Sequence, residues 1–290
     1  MAVIPMEGRV SLRWFCQGAG TFLLPFAVDL LKPTESEVNS LYIEYKLMCI
    51  LLYVAVNYVL IFVTLKRNAQ QIAVRACMLG VVFGLGLILG TQSTILRIFG
   101  WYWCLLSFFH FSEYFSTSIY NLDSLTLESF LLSQSTAYYA AAFASCSEFI
   151  IEMYFFPGLK TYWFVSYFGL LLSMVGEVMR KAAMLTAGKS FNHYIQFEKA
   201  SDHHLVTHGL YSWSRHPAYV GWFYWSVGTQ IMLCNPLCTI GFAYTSWKFF
   251  KERIEDEEIT LLNFFGEEYL DYQKAVPTRL PFIQGYKLQY

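Results

Sequence analysis

Residues 47–65 read LMCILLYVAVNYVLIFVTL, an apolar run with no acid or base in it. Wound as an α-helix at about 1.5 Å per residue, it reaches across the ~30 Å hydrocarbon core of a bilayer. A helix is the form such a run must take there, because lipid offers nothing to satisfy a free backbone N–H or C=O. Runs of the same kind recur on either side, at Leu12–Leu31, Ala73–Leu96, Ile98–Phe115, Thr136–Phe156, Tyr162–Met184, Ala218–Cys234 and Leu237–Phe250. The pattern predicts an all-α polytopic membrane helical bundle with about eight transmembrane helices. Its last two spans are short and separated only by Asn235 and Pro236, which predicts a tight hairpin. The first run is too long for a signal-peptide core and reads as a retained span. Pro25 within it predicts a kink, and Gly80-x3-Gly84 with Gly86-x3-Gly90 predicts close helix packing.

Composition agrees. Of 290 residues, 56% are hydrophobic, 19% aromatic and only 14% charged, with mean hydropathy +0.40. A soluble domain carries about a quarter of its residues as charges. The net charge of -1 argues against a nucleic-acid surface. Cysteines number seven, mostly inside apolar runs, so they read as small hydrophobes rather than a disulfide framework.

Eight crossings place both termini on one side. That side receives Arg9, Arg13, Lys66, Arg67, Arg75, Lys181, Lys189, Arg215, Lys251 and Arg253, whereas the other receives Lys32, Lys46, Arg97 and Lys160. The excess predicts cytosolic termini. Polar chemistry gathers on the same side, in residues 186–221, which hold five of the six histidines, and in the charged tail after Phe250.

Ionisable groups at membrane depth need a partner or a task. Arg180 and Lys181 end the sixth run with Glu177 one turn before them. Glu148 and Glu152, and His110 with Glu113, read as helix–helix ties. The stretch His203 to Gly221 is the densest constellation, with Arg215 and its imidazoles able to donate to an acidic or zwitterionic group. A metal could be drawn to His204-x3-His208, but no Glu follows the first His, and Gly209 and Pro217 favour irregular backbone, so no metal is expected. Arg253, Glu255, Asp256, Glu257 and Glu258 fall on the helix after the last run, either as a solvated face or as a site for a cationic group.

The order Gly209-Leu210-Tyr211, Arg215-His216-Pro217-x-Tyr219-x-Gly221, Arg253-x3-Glu257-Glu258, Phe265-Gly266-x2-Tyr269-x2-Tyr272 and Val276-Pro277-x3-Pro281 resembles the protein-S-isoprenylcysteine O-methyltransferases. The length, the added N-terminal spans and the approach from Gln196 to His208 resemble the animal form. The wider superfamily also holds phospholipid N-methyltransferases and sterol-reductase-like proteins.

The resemblance implies one membrane-integral methyltransferase domain over 1–290. Residues 1–160 would be mainly spans, and 161–290 a catalytic core with cytosolic cofactor-binding segments 186–221 and 251–290. It implies S-adenosylmethionine as methyl donor, leaving S-adenosylhomocysteine, held by Gln196, His203, His208, Tyr211, His216 and Tyr219, with Leu205 and Val206 as apolar contacts and Glu255 near its polar parts. Arg180 and Arg253 would direct the substrate carboxylate, with Glu258 at the reacting end. The substrate would be the prenylated C-terminal cysteine of CaaX proteins such as small GTPases, presented beside membrane lipid in the endoplasmic reticulum, with the active site cytosolic. Methylation of a phospholipid amine is the nearest alternative. A transporter or scaffold is the alternative of another class, although no internal repeat supports it.

Overall fold

The computed structural model describes residues 4–30, 39–132, 136–199 and 203–287, and among them all regular structure is helical. Lys32 and the end of the first expected span lie outside the described residues. The run that opened the sequence reading lies, all but its last residue Leu65, inside one helix, α3 (Asn39–Thr64), which follows α1 (Met6–Ala19) and α2 (Leu24–Leu30) and precedes α4 (Arg67–Gly90), α5 (Leu96–Tyr120), α6 (Thr136–Phe155), α7 (Trp163–Ala187), α8 (Pro217–Met232), α9 (Pro236–Phe265) and α10 (Glu267–Ala275). By length and apolarity alone, Tyr45–Thr64 and Arg67–Gly90 suffice to cross a bilayer, with mean hydropathies of 2.4 and 2.3. The other runs are helical too, but α8 has only 16 residues and α5, α6 and α7 bury ionisable side chains.

The chain divides into two compact units, Met1–Ile119 with Thr126–Leu132, and Tyr120–Leu125 with the rest of the chain to its C-terminus. The second unit therefore takes in α6, which the sequence grouped with the N-terminal spans. In the first unit, α1 runs into a 3-10 turn at Gly20–Leu23 before α2 begins. The break thus falls just before Pro25, which occupies the first turn of α2, where a missing N–H costs nothing. Gly80 of α4 lies against the Phe15 carbonyl and Ala19 amide of α1, an approach that any Cβ would block. His110 Nδ1 donates to the Phe130 carbonyl over 2.8 Å, and Tyr114 stacks on the Phe130 ring at 4.0 Å.

The second unit is built on backbone contact between α7 and α8. A Cβ on Gly176 would stand 2.5 Å from the Gly221 carbonyl oxygen, and one on Gly221 would stand 2.6 Å from that of Gly176. In lipid there is no hydrophobic drive to pair helices, so such close van der Waals contact carries the association. Between α8 and α9 the chain turns through Cys234 at φ 51°.

A polar knot holds that turn. The buried Lys160 ammonium donates to Glu152 Oε2 (2.6 Å), Asn235 Oδ1 (2.8 Å) and the carbonyls of Leu233 and Cys234 (both 2.9 Å). Glu148 accepts the free backbone N–H groups of Leu237 and Cys238, both at 2.7 Å, and so caps α9. These acids are ties between helices, as their spacing suggested. Lys160 is 2% exposed; its charge is spent inside the fold, so it does not weigh in the loop count that orients the bundle.

One helix, α9, continues unbroken past Phe250 for 30 residues in all, about 45 Å. Its apolar half stays largely exposed, with Leu237, Ile240 and Tyr244 facing outward and Phe250 buried, and its charged half carries acids and Arg253 to one end of the unit. The chain after α10 then returns in extended form alongside α8 and α9.

Candidate active site

A cavity opens at that end of the second unit, walled by residues from 187–196 and 203–206, the start of α8, the charged half of α9, and α10. Its α9 wall is Glu257, Thr260, Leu261 and Phe264, a spacing that places all four on one helix face. Gln196, His203, Leu205, Val206, Tyr211, His216 and Tyr219 all line it, as does Arg215. Aromatic rings dominate the rest: Phe191, Phe265, Tyr269 and Tyr272. Among the described residues Glu257 is the one carboxylate in the lining.

Pro217 opens α8 at its first position, which aims His216, the residue before it, into the cavity wall. The His216 ring stacks on Tyr219 at 5.5 Å with an angle of 5°. Its Nε2 lies 3.1 Å from Glu258 Oε1 and its Nδ1 3.7 Å from Glu257 Oε2. Tyr219 donates its hydroxyl hydrogen to Glu257 Oε2 (2.6 Å) and accepts from Arg253 Nε (2.8 Å). Arg253 also donates to the His193 carbonyl at 2.5 Å. Arg253 is thereby tied to the cavity wall through one phenol. Arg180, 1% exposed, lies over the Trp222 ring at 4.7 Å and the Phe191 ring at 5.9 Å. Lys181, by contrast, pairs with Glu177 at 3.4 Å.

Glu258 is fully buried and does not line the cavity. Its oxygens accept from Arg215 Nε (2.8 Å), His216 Nε2, Gln273 Nε2 (2.9 Å) and the Tyr286 amide (2.8 Å). Burial alone would raise its carboxyl pKa. The hydrogen bonds and charges of His216 and Arg215 outweigh that and hold it at about 2. The rest of the Arg215 guanidinium goes to the carbonyls of Gln273, Val276 and Gln284. Arg215, read from sequence as a donor for ligand, spends its donors on the protein's own backbone. Burial, with the Glu257 charge, pushes the Tyr211 hydroxyl above the usual phenol value, so it remains a donor at neutral pH.

Two expected residues stand elsewhere. His208 is exposed and outside the lining; the chain turns away after it at Gly209, φ 59°, which packs on Thr186. Glu255 is partly exposed and outside the lining, because two helical steps rotate it by about 200° from Glu257. Of the four acids that the sequence offers for a cationic group, Glu257, one turn after Arg253, is the one in the lining.

Comparison with known proteins gives the family. The model of the isoprenylcysteine carboxyl methyltransferase family matches residues 169–263, the stretch from α7 to the cavity face of α9. The protein-S-isoprenylcysteine O-methyltransferase of Xenopus laevis is 49% identical over 98% of this chain and 97% of its own length. That of Homo sapiens is 49% identical over 97% and 95%, and that of Tribolium castaneum 45% identical over 97% and 98%. A solved structure of the eukaryotic intramembrane Ras methyltransferase, 44% identical, superposes with TM-score 0.89 over 97% of this chain and 99% of that one. The chain belongs to the protein-S-isoprenylcysteine O-methyltransferase family, membrane enzymes that use S-adenosylmethionine to methylate the carboxylate of a prenylated CaaX cysteine.

Proposed function

We propose that the cavity walled by 187–196, 203–206 and α9 is the S-adenosylmethionine site of this methyltransferase and that Arg180 and Arg253 direct the substrate carboxylate beside it. The observation that carries this reading is the Tyr219 hydroxyl, which joins the Glu257 carboxylate in the cavity lining to Arg253. The residues suit the donor: aromatic faces and apolar Leu205 and Val206 for a nucleoside, polar Gln196 and His203 at its edge, and Glu257 for a cationic part. Bound there, S-adenosylmethionine supplies an electrophilic methyl group on a sulfonium.

The acceptor carboxylate is already a nucleophile at neutral pH, so no residue here has to act as a strong base. The protein's work is to align and desolvate it, since misaligned reactants lose most of the proximity advantage. Arg253, fixed by Tyr219 and flanked by the rings of Tyr219 (5.6 Å) and Phe249 (5.9 Å), is held in one orientation. Arg180 is braced by Trp222. An arginine that grips one carboxylate oxygen leaves the other to attack. The ester product is neutral and loses the charge-assisted grip, which favours release. Glu258 supports this group from behind, through His216 and Arg215. His208 and Glu255 would serve only at the rim.

In the same reading residues 161–290 form the catalytic core. The bundle has eight spans, the last two an α8–α9 hairpin, with both termini and the cavity facing the cytosol of the endoplasmic reticulum. A prenyl chain of 15 or 20 carbons would stay in the apolar layer at about 0.8 kcal/mol per buried methylene, and small GTPases are the proteins proposed to present it.

The test is transfer of labelled methyl to N-acetyl-S-farnesylcysteine by the lipid-reconstituted protein, with the methyl ester as blocked control. Label in the acid alone, lost on replacing Arg180 or Arg253, supports the assignment. Unchanged transfer after neutralising both arginines sinks their role at the carboxylate, whereas no transfer to the acid by the wild-type protein favours a lipid-amine acceptor.

A further inference from the structure

The turn after Pro277 contains an arrangement that the methyl-transfer site does not use. Arg279 and Phe282 both adopt left-handed backbone, φ 63° and 60°, a conformation that bulky side chains rarely take. Between and beside them, Leu280 and Ile283 are buried in the cluster of Val220, Phe223, Phe250 and Ile254. Phe282 instead stands 94% exposed. A strained backbone that buries two aliphatic side chains and thrusts a phenyl ring outward needs a partner for the ring.

The surroundings identify the partner. Trp247 of α9 donates its indole N–H to the Pro281 carbonyl at 2.7 Å, which fixes the turn level with that tryptophan. Trp247 lies three residues before Phe250, where the apolar half of α9 gives way to charge. Lys251 stands over the Trp247 ring at 5.7 Å, and Arg279 over the Trp213 ring at 5.4 Å while donating to the Trp213 carbonyl. Tryptophan rings paired with cations at the end of an apolar helix are the make-up of a membrane–water boundary.

We propose that the turn 279–283 is a membrane anchor outside the spanning helices: Phe282 inserts at the headgroup–acyl boundary of the bilayer, with Arg279 and Lys251 at phosphate level. This rests on the reading that the apolar half of α9 crosses the bilayer. The occupant is lipid because the ring is continuous, through Trp247, with the lipid-facing end of that span. The strap that follows, Gln284 to Tyr286, is bonded to Arg215, Glu258 and Gln273. The anchor therefore fastens to the bilayer the chain that braces the back of the cavity.

The test is photocrosslinking of the full chain in phosphatidylcholine nanodiscs, with p-benzoylphenylalanine in place of Phe282, of Tyr244 on the exposed face of α9, or of Asp271 on α10. The expected result is a gain of one phospholipid mass at Phe282 and at Tyr244, and none at Asp271. Lipid adduct at Tyr244 without one at Phe282, or chain–chain dimers at Phe282 in its place, overturns the anchor and leaves the span reading intact. Absence of adduct at Tyr244 as well overturns the span reading and the anchor with it. Equal labelling at Asp271 overturns the anchor too, since contact would then be unspecific.

Discussion

Arg215 Nε lies 2.8 Å from Glu258 Oε1, with the two side chains 3% and 0% exposed. One partner is set just before α8 and the other in α9, and the pair joins both to the C-terminal strap. Removing one member strands the other as a buried charge, at about 3–5 kcal/mol. Arg215→Met is therefore expected to lower thermal stability in detergent steeply, whereas Lys274→Met, at the exposed Lys274–Asp271 pair, should change it little.

The same carboxylate sets an acid limit. Its folded pKa, about 2, lies below the ordinary 4.5, so its stabilisation is complete above the ordinary value and drains away as pH falls from there through about 2. Unfolding midpoints measured down that range should decline in the wild-type protein, and Glu258→Gln should flatten this part of the decline while lowering stability at neutral pH.

Glu257→Gln tests the carboxylate that lines the cavity. Loss of a charged hydrogen bond of about 1.5–3 kcal/mol predicts a rise of about 10- to 100-fold in the dissociation constant for S-adenosylmethionine by calorimetry, with Glu255→Gln near wild type. Equal effects from the two substitutions would contradict the helix rotation that separates them.

Arg180→Lys keeps the charge but loses the flat guanidinium lying on Trp222. The expected outcome is a fall of about 100-fold in kcat/KM for N-acetyl-S-farnesylcysteine, with cofactor binding retained.

Gly221→Ala should be severe, because its Cβ would meet the Gly176 carbonyl at 2.6 Å and the Arg180 amide at 2.7 Å. Gly241→Ala, with nothing within 4 Å, should raise stability by up to ~1 kcal/mol. Folded yield and melting of the two variants, side by side, check the contact.

Helices were the legible part. An apolar run such as 47–65 declares itself by length, with no tertiary partner required. The cavity was legible where residues cluster in sequence, from His203 to Tyr219, because local backbone brings them together. It failed at His208, where one left-handed glycine turns the chain, and at Glu255, where neighbouring acids differ only by rotation. The role of Arg215 was illegible because its acceptors, Gln273, Val276 and Gln284, lie about sixty residues downstream. So was the contact of Gly176 with Gly221, since the spacing of glycines was noticed only within α4.

The Lys160 knot bears on the order in which the chain is assembled. Its bond to Glu152 spans eight residues, but its other three acceptors come 73, 74 and 75 residues later. During synthesis the ammonium and its first carboxylate exist before the hairpin does, with the remaining donors still lacking their acceptors. The hairpin is born into that vacancy. A cation left waiting by one part of the nascent chain thus selects the turn of another, and the final two helices are received by a site that was charged before they existed.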